Sequence, residues 1–293
     1  MNLLVDISNI YYRSFFKVQS YQNQSDEENA HHMVRKFFID FSYIVNMFVK
    51  VDKVICCFDS RSYRKDIDPN YKANRGMKKE KWFYDCLDEV EWFLKSNGVI
   101  TLKHDGLEAD DLIYLCTKLY DPSVIISNDK DLHQYLKKDI ASLSLKKGNN
   151  RLFVTSDSIF DTNIFHKKDD FSKHLIIPEN VTIEKILLGD VSDNIPRVVR
   201  KGVGPKALQK IIAKKEAFIS DGLLDLEKMM AIANVLYKDS ITFDKMQKSW
   251  DLVTFNGKFE DSIFLEAHYT YHRPFKMQQF LKGTRYLSLK DQL

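Results

Sequence analysis

At 293 residues, with 44% apolar and 29% charged content, the chain has the make-up of an ordinary globular protein of one large domain or two modest ones. No apolar run approaches the roughly 20 residues that span a bilayer, and Asp6 interrupts the first apolar stretch, unlike a signal peptide. Net charge is +3, but residues 61–81 carry +5 and residues 197–215 carry +7 against −9 elsewhere, which points to a polyanion held at two places on an acidic body.

Leu3–Ile7 reads as a short buried strand with Asp6 near its end, and Ser8-Asn9 follows as turn material. From residue 29 to residue 50, Met33, Val34, Phe37, Phe38, Phe41, Ile44, Val45 and Phe48 recur at helical spacing, a stripe of core packing. Lys53–Phe58 is a second strand-like run, closed by Asp59. Residues 60–79 show bases, Tyr63 and Tyr71 but no apolar period, as in an exposed loop or mobile arch. A helix resumes from Trp82 to Leu94 and stops at Asn97-Gly98. Val99–Leu102 makes a third strand and Ser123–Ser127 a fourth, with Asp129 and Asp131 just beyond it. Ala141–Leu145 and Leu152–Val154 form a strand pair joined by the Gly148-Asn149-Asn150 turn. Cys56, Cys57, Cys86 and Cys116 include no C-x-x-C pair and fit buried thiols in a reducing cytoplasm. Strands alternating with helices imply an α/β fold with a parallel, doubly wound sheet. After Pro178 the pattern turns mostly helical, so a boundary is placed there; past residue 220 there is little chemistry, and Arg285–Leu289 reads as a last packed segment or, as the alternative, a partner peptide.

The chemistry concentrates in acids. Glu108, Asp110 and Asp111 open a helical run, where one acid would complement the helix dipole and three repel one another unless a cation sits among them. Asp6, Asp59, Asp129 and Asp131 stand at or just past strand ends, where open α/β sheets bind ligands, and Asp190 and Asp193 follow in Gly189–Asn194. Nine carboxylates from five segments match a two-cation site for phosphoryl transfer, in which hard oxygens hold two Mg²⁺ or Mn²⁺ ions about 3.5–4 Å apart. There is no G-x-x-x-x-G-K-[ST] loop, and Gly202-Val203-Gly204-Pro205 lacks the third glycine of a dinucleotide fingerprint. His31, His32, His104 and His133 lack metal-ligand spacing, and no serine or cysteine has the setting of an activated nucleophile. Pro205, opening a helix after a Gly-rich hairpin, leaves backbone N–H groups to face a phosphate.

In order, Asp6 in Leu-Val-Asp-x-x-Asn, Asp59 in Cys-Phe-Asp, Tyr71-Lys72-Ala73-Asn74-Arg75, Glu108-Ala109-Asp110-Asp111, Ser127–Asp131 and Gly189-Asp190-x-x-Asp193-Asn194-Ile195-Pro196 resemble the 5′-nuclease family. That family includes flap endonucleases, the 5′-nuclease domain of bacterial DNA polymerase I and phage ribonuclease H. The length and the Tyr-Lys-x-Asn-Arg-Gly stretch look most like the phage enzymes. The resemblance implies a PIN-like catalytic domain over residues 1–177, with a helical arch over about 60–98. It implies a helical DNA-binding subdomain over 178–293, whose helix–three-turn–helix motif covers about 182–215. It assigns Asp6, Asp59, Glu108 and Asp110 to a first metal, Asp111 as an extra acid, and Asp129, Asp131, Asp190 and Asp193 to a second. Lys72 and Arg75 match bases at the scissile phosphate, and Tyr71 offers a stacking face. Arg61, Arg64, Lys65, Arg200, Lys201, Gly202, Gly204, Lys206 and Lys210 are the expected nucleic-acid contacts. The stretch from Pro196 to Gly202 is two residues longer than the family pattern, which puts in doubt the K⁺ ion that the hairpin carbonyls hold in the family.

The expected activity is a Mg²⁺-dependent 5′→3′ exonuclease and flap endonuclease on branched or nicked DNA and RNA–DNA hybrids, including RNA primers. The expected setting is a cytoplasmic monomer, in the host if phage-encoded, meeting replication proteins such as a single-strand-binding protein. Two alternatives stay open: a PIN-type ribonuclease on single-stranded RNA, and a catalytically silent module that binds branched DNA.

Overall fold

The structure, a computed structural model, describes residues 1–18, 25–76, 81–145, 151–157, 160, 162–166 and 171–255. The Gly148–Asn150 turn, Lys78, Lys79 and Arg285–Leu289 lie outside the described residues. Two compact units emerge, one within Met1–Arg61 and Lys78–Ile176, the other within Ser62–Met77 and Ile177–Lys258.

The first unit is built on a sheet of β1 (Asn2–Asp6), β2 (Lys53–Cys57), β3 (Ile100–Leu102), β4 (Ser123–Ile126), β5 (Ile140–Leu145), β6 (Arg151–Thr155) and β7 (Phe171–Leu175). Their spatial order is β3-β2-β1-β4-β5-β6-β7. The first five are parallel, as the alternation of elements requires, while β6 runs against β5 and parallel to β7. β7, Phe-Ser-Lys-His-Leu, gives no apolar run and was not expected. β1 lies mid-sheet with all five residues buried, which is why it reads as an unbroken apolar run. The chain leaves it toward β2 on one side and β4 on the other, so the crevice at the carboxyl ends of β1 and β4 is the switch point where such sheets take ligands.

Helices α1 (Ile7–Val18), α2 (Asp26–Val45), α4 (Lys81–Ser96) and α5 (Ala109–Leu119) flank this sheet; α3 (Arg64–Ile67) belongs to the second unit. α1 replaces the turn expected at Ser8-Asn9. It starts directly from β1 because Asp6 Oδ1 accepts the Asn9 N–H at 3.0 Å, as an N-cap does, and Ile7, Ile10, Tyr11, Ser14, Phe15 and Val18 bury one face. α2 begins at a Ser25/Glu28 capping box and ends before Phe48. Residues 47–49 instead bond to the 164–166 segment, through Val49 N to Ile164 O at 2.7 Å and His166 N to Met47 O at 2.9 Å. That tertiary ladder overrides the helical period, and Phe48 packs on Phe165. All four cysteines are free and buried. Among the described residues, no helix is long and apolar enough to cross a membrane.

The second unit contains α6 (Pro178–Leu188), α7 (Pro205–Ile212), a hairpin of β8 (Ile219–Ser220) and β9 (Leu223–Leu224), α8 (Leu226–Tyr237) and α9 (Phe243–Val253). Ile183, Ile186, Leu187, Leu208, Ile211, Met229 and Met246 fill its core. Residues 62–76, expected as an exposed loop, are a structured part of this unit. Tyr63, Arg64 and Tyr71 are buried, and Tyr71 packs with Ile195 and Leu252. A few long side chains supply what the absent period does not. Arg64 donates from Nε to Leu252 O at 2.8 Å and from Nη2 to Thr254 O at 3.2 Å, while Tyr63 Oη donates to Thr254 O at 3.3 Å. These bonds satisfy carbonyls left over at the end of α9.

Candidate active site

Asp6 ends β1 at the switch point with 6% of its surface exposed. Ser127, one residue past β4, donates its hydroxyl to Asp6 Oδ2 at 2.8 Å, and the Asn9 N–H holds Oδ1. Ser127 is itself fixed, since its carbonyl accepts the Ser144 hydroxyl at 3.0 Å. Asn128 donates twice to Asn9 Oδ1, at 3.2 Å from its backbone and 2.9 Å from its side chain, tying the two strand ends together. Ser127, Asn128 and Asn9 had no assigned role in the sequence; each stands within three residues of an acid of the set. Burial, then the charge of Asp59, push the Asp6 carboxyl up to about 7, against the Asn9 and Ser127 bonds; Asp129 adds to the rise.

Asp59 follows β2, and its Oδ1 accepts the Ala109 N–H at 2.9 Å, linking the β2 end to the first turn of α5. Glu108 is the N-cap residue of α5 and is buried, whereas Asp110 is partly exposed. Asp111 differs from its neighbours: it has no exposed surface and accepts the Glu108 N–H at 3.0 Å. This carboxylate, expected as an extra acid of the metal set, lies buried in its own helix start and holds the backbone of Glu108. Past β4, Asp129 Oδ1 accepts the Asp131 N–H at 2.9 Å and the Asp129 N–H goes to Ser127 Oγ at 3.0 Å.

The first unit thus carries Asp6, Asp59, Glu108, Asp110, Asp129 and Asp131 at or just beyond the carboxyl ends of β1–β4. Among the described residues, no three His, Cys, Asp or Glu side chains close up as a metal cage on their own. Asp6, Asp59 and Asp129 each accept a backbone N–H. The donors fit a hard divalent cation. All are carboxylate oxygens, and the buried Asp6 is in a place where a positive charge would restore its ionised form.

Asp190 and Asp193 belong to the second unit. Asp190 pairs with Lys185 and accepts from the Ser192 N–H at 2.7 Å and hydroxyl at 2.6 Å. Burial pushes its carboxyl up, but the bonds from Lys185 and Ser192 outweigh it and hold Asp190 at about 2. Asp193 is buried against Tyr71, Lys72 and Arg75. Tyr71, 4% exposed, therefore offers no open stacking face. Arg64 is committed to the end of α9 and is lost as a surface contact, whereas Arg61 and Lys65 are exposed.

Arg200, Lys201, Lys206 and Lys210 are exposed on and before α7, whose N-cap is Gly204; Gly202 takes φ +96°. The longer stretch after Pro196 is accommodated because Val198 and Val199 enter the core and donate to Leu187 O at 3.0 and 3.1 Å, closing the end of α6. Arg197 donates to Val203 O, so a guanidinium already serves one of the carbonyls of this hairpin. Gly189 has φ +67°, and a Cβ there would stand 2.3 Å from Ile195 O. Gly189→Ala is expected to destabilise the second unit by about 2–5 kcal/mol, left-handed strain plus a clash against backbone, read from its urea midpoint.

Residues 1–168 match the family described as 5′-3′ exonuclease, N-terminal resolvase-like domain. A 5′-3′ exonuclease of Buchnera aphidicola subsp. Schizaphis graminum is 28% identical over 236 residues, 78% of this chain and 75% of that one. A 5′-3′ exonuclease of Bacillus subtilis is 26% identical over 285 residues, 86% of this chain and 91% of that one. The phage T5 5′-exonuclease, solved with divalent zinc, shares the fold with a TM-score of 0.58 at 18% identity, covering 98% of each chain. With more than half of its length inside the family match and its acids ranged along the strand ends of β1–β4, the chain belongs to the 5′-3′ exonuclease family of 5′ nucleases.

Proposed function

We propose that the chain is a Mg²⁺-dependent, structure-specific 5′ nuclease that trims 5′ flaps, 5′ ends at nicks and RNA primers from duplex DNA, leaving 5′-phosphates. One observation carries the metal assignment: Asp6 is buried at the sheet's switch point, where burial first, then the charge of Asp59, with Asp129 adding, push its carboxyl to about 7. Asp6, Asp59, Glu108, Asp110, Asp129 and Asp131 would hold two Mg²⁺ ions, with Mn²⁺ as a substitute. When bound, such ions lower the pKa of water and neutralise phosphate charge.

The chain's own groups do the rest. Ser127 and the Asn9 N–H orient Asp6, and Asp111 fixes the backbone of Glu108. Lys72 and Arg75 supply positive charge for the phosphate as negative charge develops on it. The exposed Arg200, Lys201, Lys206 and Lys210 neutralise duplex phosphates, so binding weakens steeply with salt.

End-labelled flap, nicked, blunt-duplex and single-stranded DNA and RNA, with and without Mg²⁺, test the proposal. Mg²⁺-dependent cleavage near flap junctions is expected; cleavage confined to single-stranded RNA, or binding without cleavage, would overturn it. Asp129→Asn or Asp110→Asn should abolish cleavage, by at least about 10³-fold, while flap binding persists. Near-wild-type turnover at saturating Mg²⁺ would remove these carboxylates from the metal set. Lys72→Ala should slow the single-turnover step more than it weakens affinity.

A further inference from the structure

The backbone ladder between β1 and β4 ends at Val5 and Ile126. Beyond that last rung the two strand ends are joined by side chains. Ser127 Oγ donates to Asp6 Oδ2 at 2.8 Å and accepts the Asp129 N–H at 3.0 Å. One oxygen atom therefore holds the acid that ends β1 and the backbone of the acid past β4. Asn9 makes a second link. Its N–H holds Asp6 Oδ1 at 3.0 Å, while its own Oδ1 takes the Asn128 backbone N–H at 3.2 Å and the Asn128 side-chain amide at 2.9 Å. Ser127 is 2% exposed and is anchored to β5 through the Ser144 hydroxyl on its carbonyl, so water does not compete for its bonds.

Both links run between Asp6 and residues 127–129, and so between acids given to different cations. We propose that Ser127, Asn9 and Asn128 form a clasp that fixes the span between Asp6 and Asp129 and thereby selects Mg²⁺ over larger cations. The three are positioning residues, and their role rests on Asp6 and Asp129 holding divalent cations. Mg²⁺ demands near-octahedral oxygens at about 2.0–2.1 Å, whereas Ca²⁺ accepts six to eight oxygens at about 2.3–2.6 Å in flexible geometry. A fixed span suits the smaller ion, and two strand ends free to part would admit the larger. The hydrogen-bond partners of a ligating carboxylate also carry affinity, about 10–100-fold for each partner removed.

Mn²⁺ binding to the full-length chain without DNA, read from the EPR signal of the free ion, and its displacement by Mg²⁺ or Ca²⁺ test the clasp. Ser127→Ala should weaken Mg²⁺ binding about 10–100-fold and Ca²⁺ binding much less, so that the preference for Mg²⁺ falls. The Asp129 amide, its acceptor gone, should exchange about tenfold faster or more, because the loop opens locally. Asn9→Ala leaves Asp6 its backbone partner and cuts only the tie to Asn128, and it should lower the preference in the same direction. If Ser127→Ala does not fold, Asn9→Ala carries the comparison. Equal losses for Mg²⁺ and Ca²⁺, or a lower melting temperature with Mg²⁺ affinity unchanged, would show that these residues serve the fold alone and would overturn the proposal. A wild-type chain that binds no Mn²⁺ would overturn the metal reading and the clasp together. One that binds Mn²⁺ but cleaves none of the nucleic acids would end the nuclease reading, while the Mg²⁺ and Ca²⁺ affinities still decide the clasp.

Discussion

Asp6→Asn is expected to melt at a higher temperature than the wild type at pH 8 without divalent cations, and to have lost cleavage by at least about 10³-fold. The two effects share one cause. A charged Asp6 is buried beside Asp59, with Asp129 contributing, so ionising it in the absence of metal costs folding free energy. Asparagine keeps the shape, accepts the Asn9 N–H through its single oxygen, and faces Ser127 with an amide to which the hydroxyl can turn as acceptor. What is removed is the repulsion, and with it the ligand. Asp111→Asn is the informative comparison. It leaves the Glu108 N–H an oxygen to bond and changes a side chain with no exposed surface, so its loss of activity should be much smaller. Thermal midpoints measured beside single-turnover rates check both; an Asp6→Asn protein that melts below wild type at pH 8 would contradict the burial argument.

Without divalent cations, the wild type should lose stability from pH 5 to pH 8, and Mg²⁺ should restore it more at pH 8 than at pH 5. The folded pKa of Asp6, about 7, lies above its ordinary value of 3.8. Between these values the folded chain keeps a proton that the unfolded chain has released, so the contribution is full at low pH and disappears as pH rises through 7. Shifts of this size are worth a few kcal/mol, roughly 2–4 °C of midpoint for each. His133 works in the opposite sense: burial lowers its pKa, so its cost is relieved as pH rises to its ordinary value of 6.5. Asp190, held at about 2, is ionised throughout this range and contributes a constant amount. The measured quantity is therefore the difference in pH slope between wild type and Asp6→Asn, which should lack the fall. Mg²⁺ at a hundred times its Kd adds about 2.7 kcal/mol, and because binding expels the Asp6 proton its affinity should rise with pH. Identical midpoint shifts by Mg²⁺ at pH 5 and pH 8 would show that Asp6 is not part of the metal site.

The acids in the chain were legible because their placement is local. A carboxylate at the end of an apolar run is at a strand end whatever the strand's neighbours are, which located Asp6, Asp59 and Asp129, and helical spacing after Gly106 located Glu108–Asp111. α1 was missed although its period is clear, because Ser8-Asn9 looked like a turn; only Asp6, capping the helix from the strand end, turns those residues into a first turn. α2 read too long because its apolar period runs on to Phe48, which is claimed by a distant segment at Phe165. Residues 62–76 read as exposed because their burial rests on an arginine and two tyrosines bonded to residues more than a hundred positions away.

By itself, then, the sequence determined the strand–helix alternation, the carboxylates at the strand ends and the family to which the chain belongs, since each depends on residue type and short-range spacing. Only the tertiary structure shows which partner each carboxylate meets. Asp111 turns inward to its own helix start, and Asp193 is held by Lys72 and Arg75. A carboxylate's role is set by the partners that folding brings within 3 or 4 Å, and no spacing along the chain encodes those.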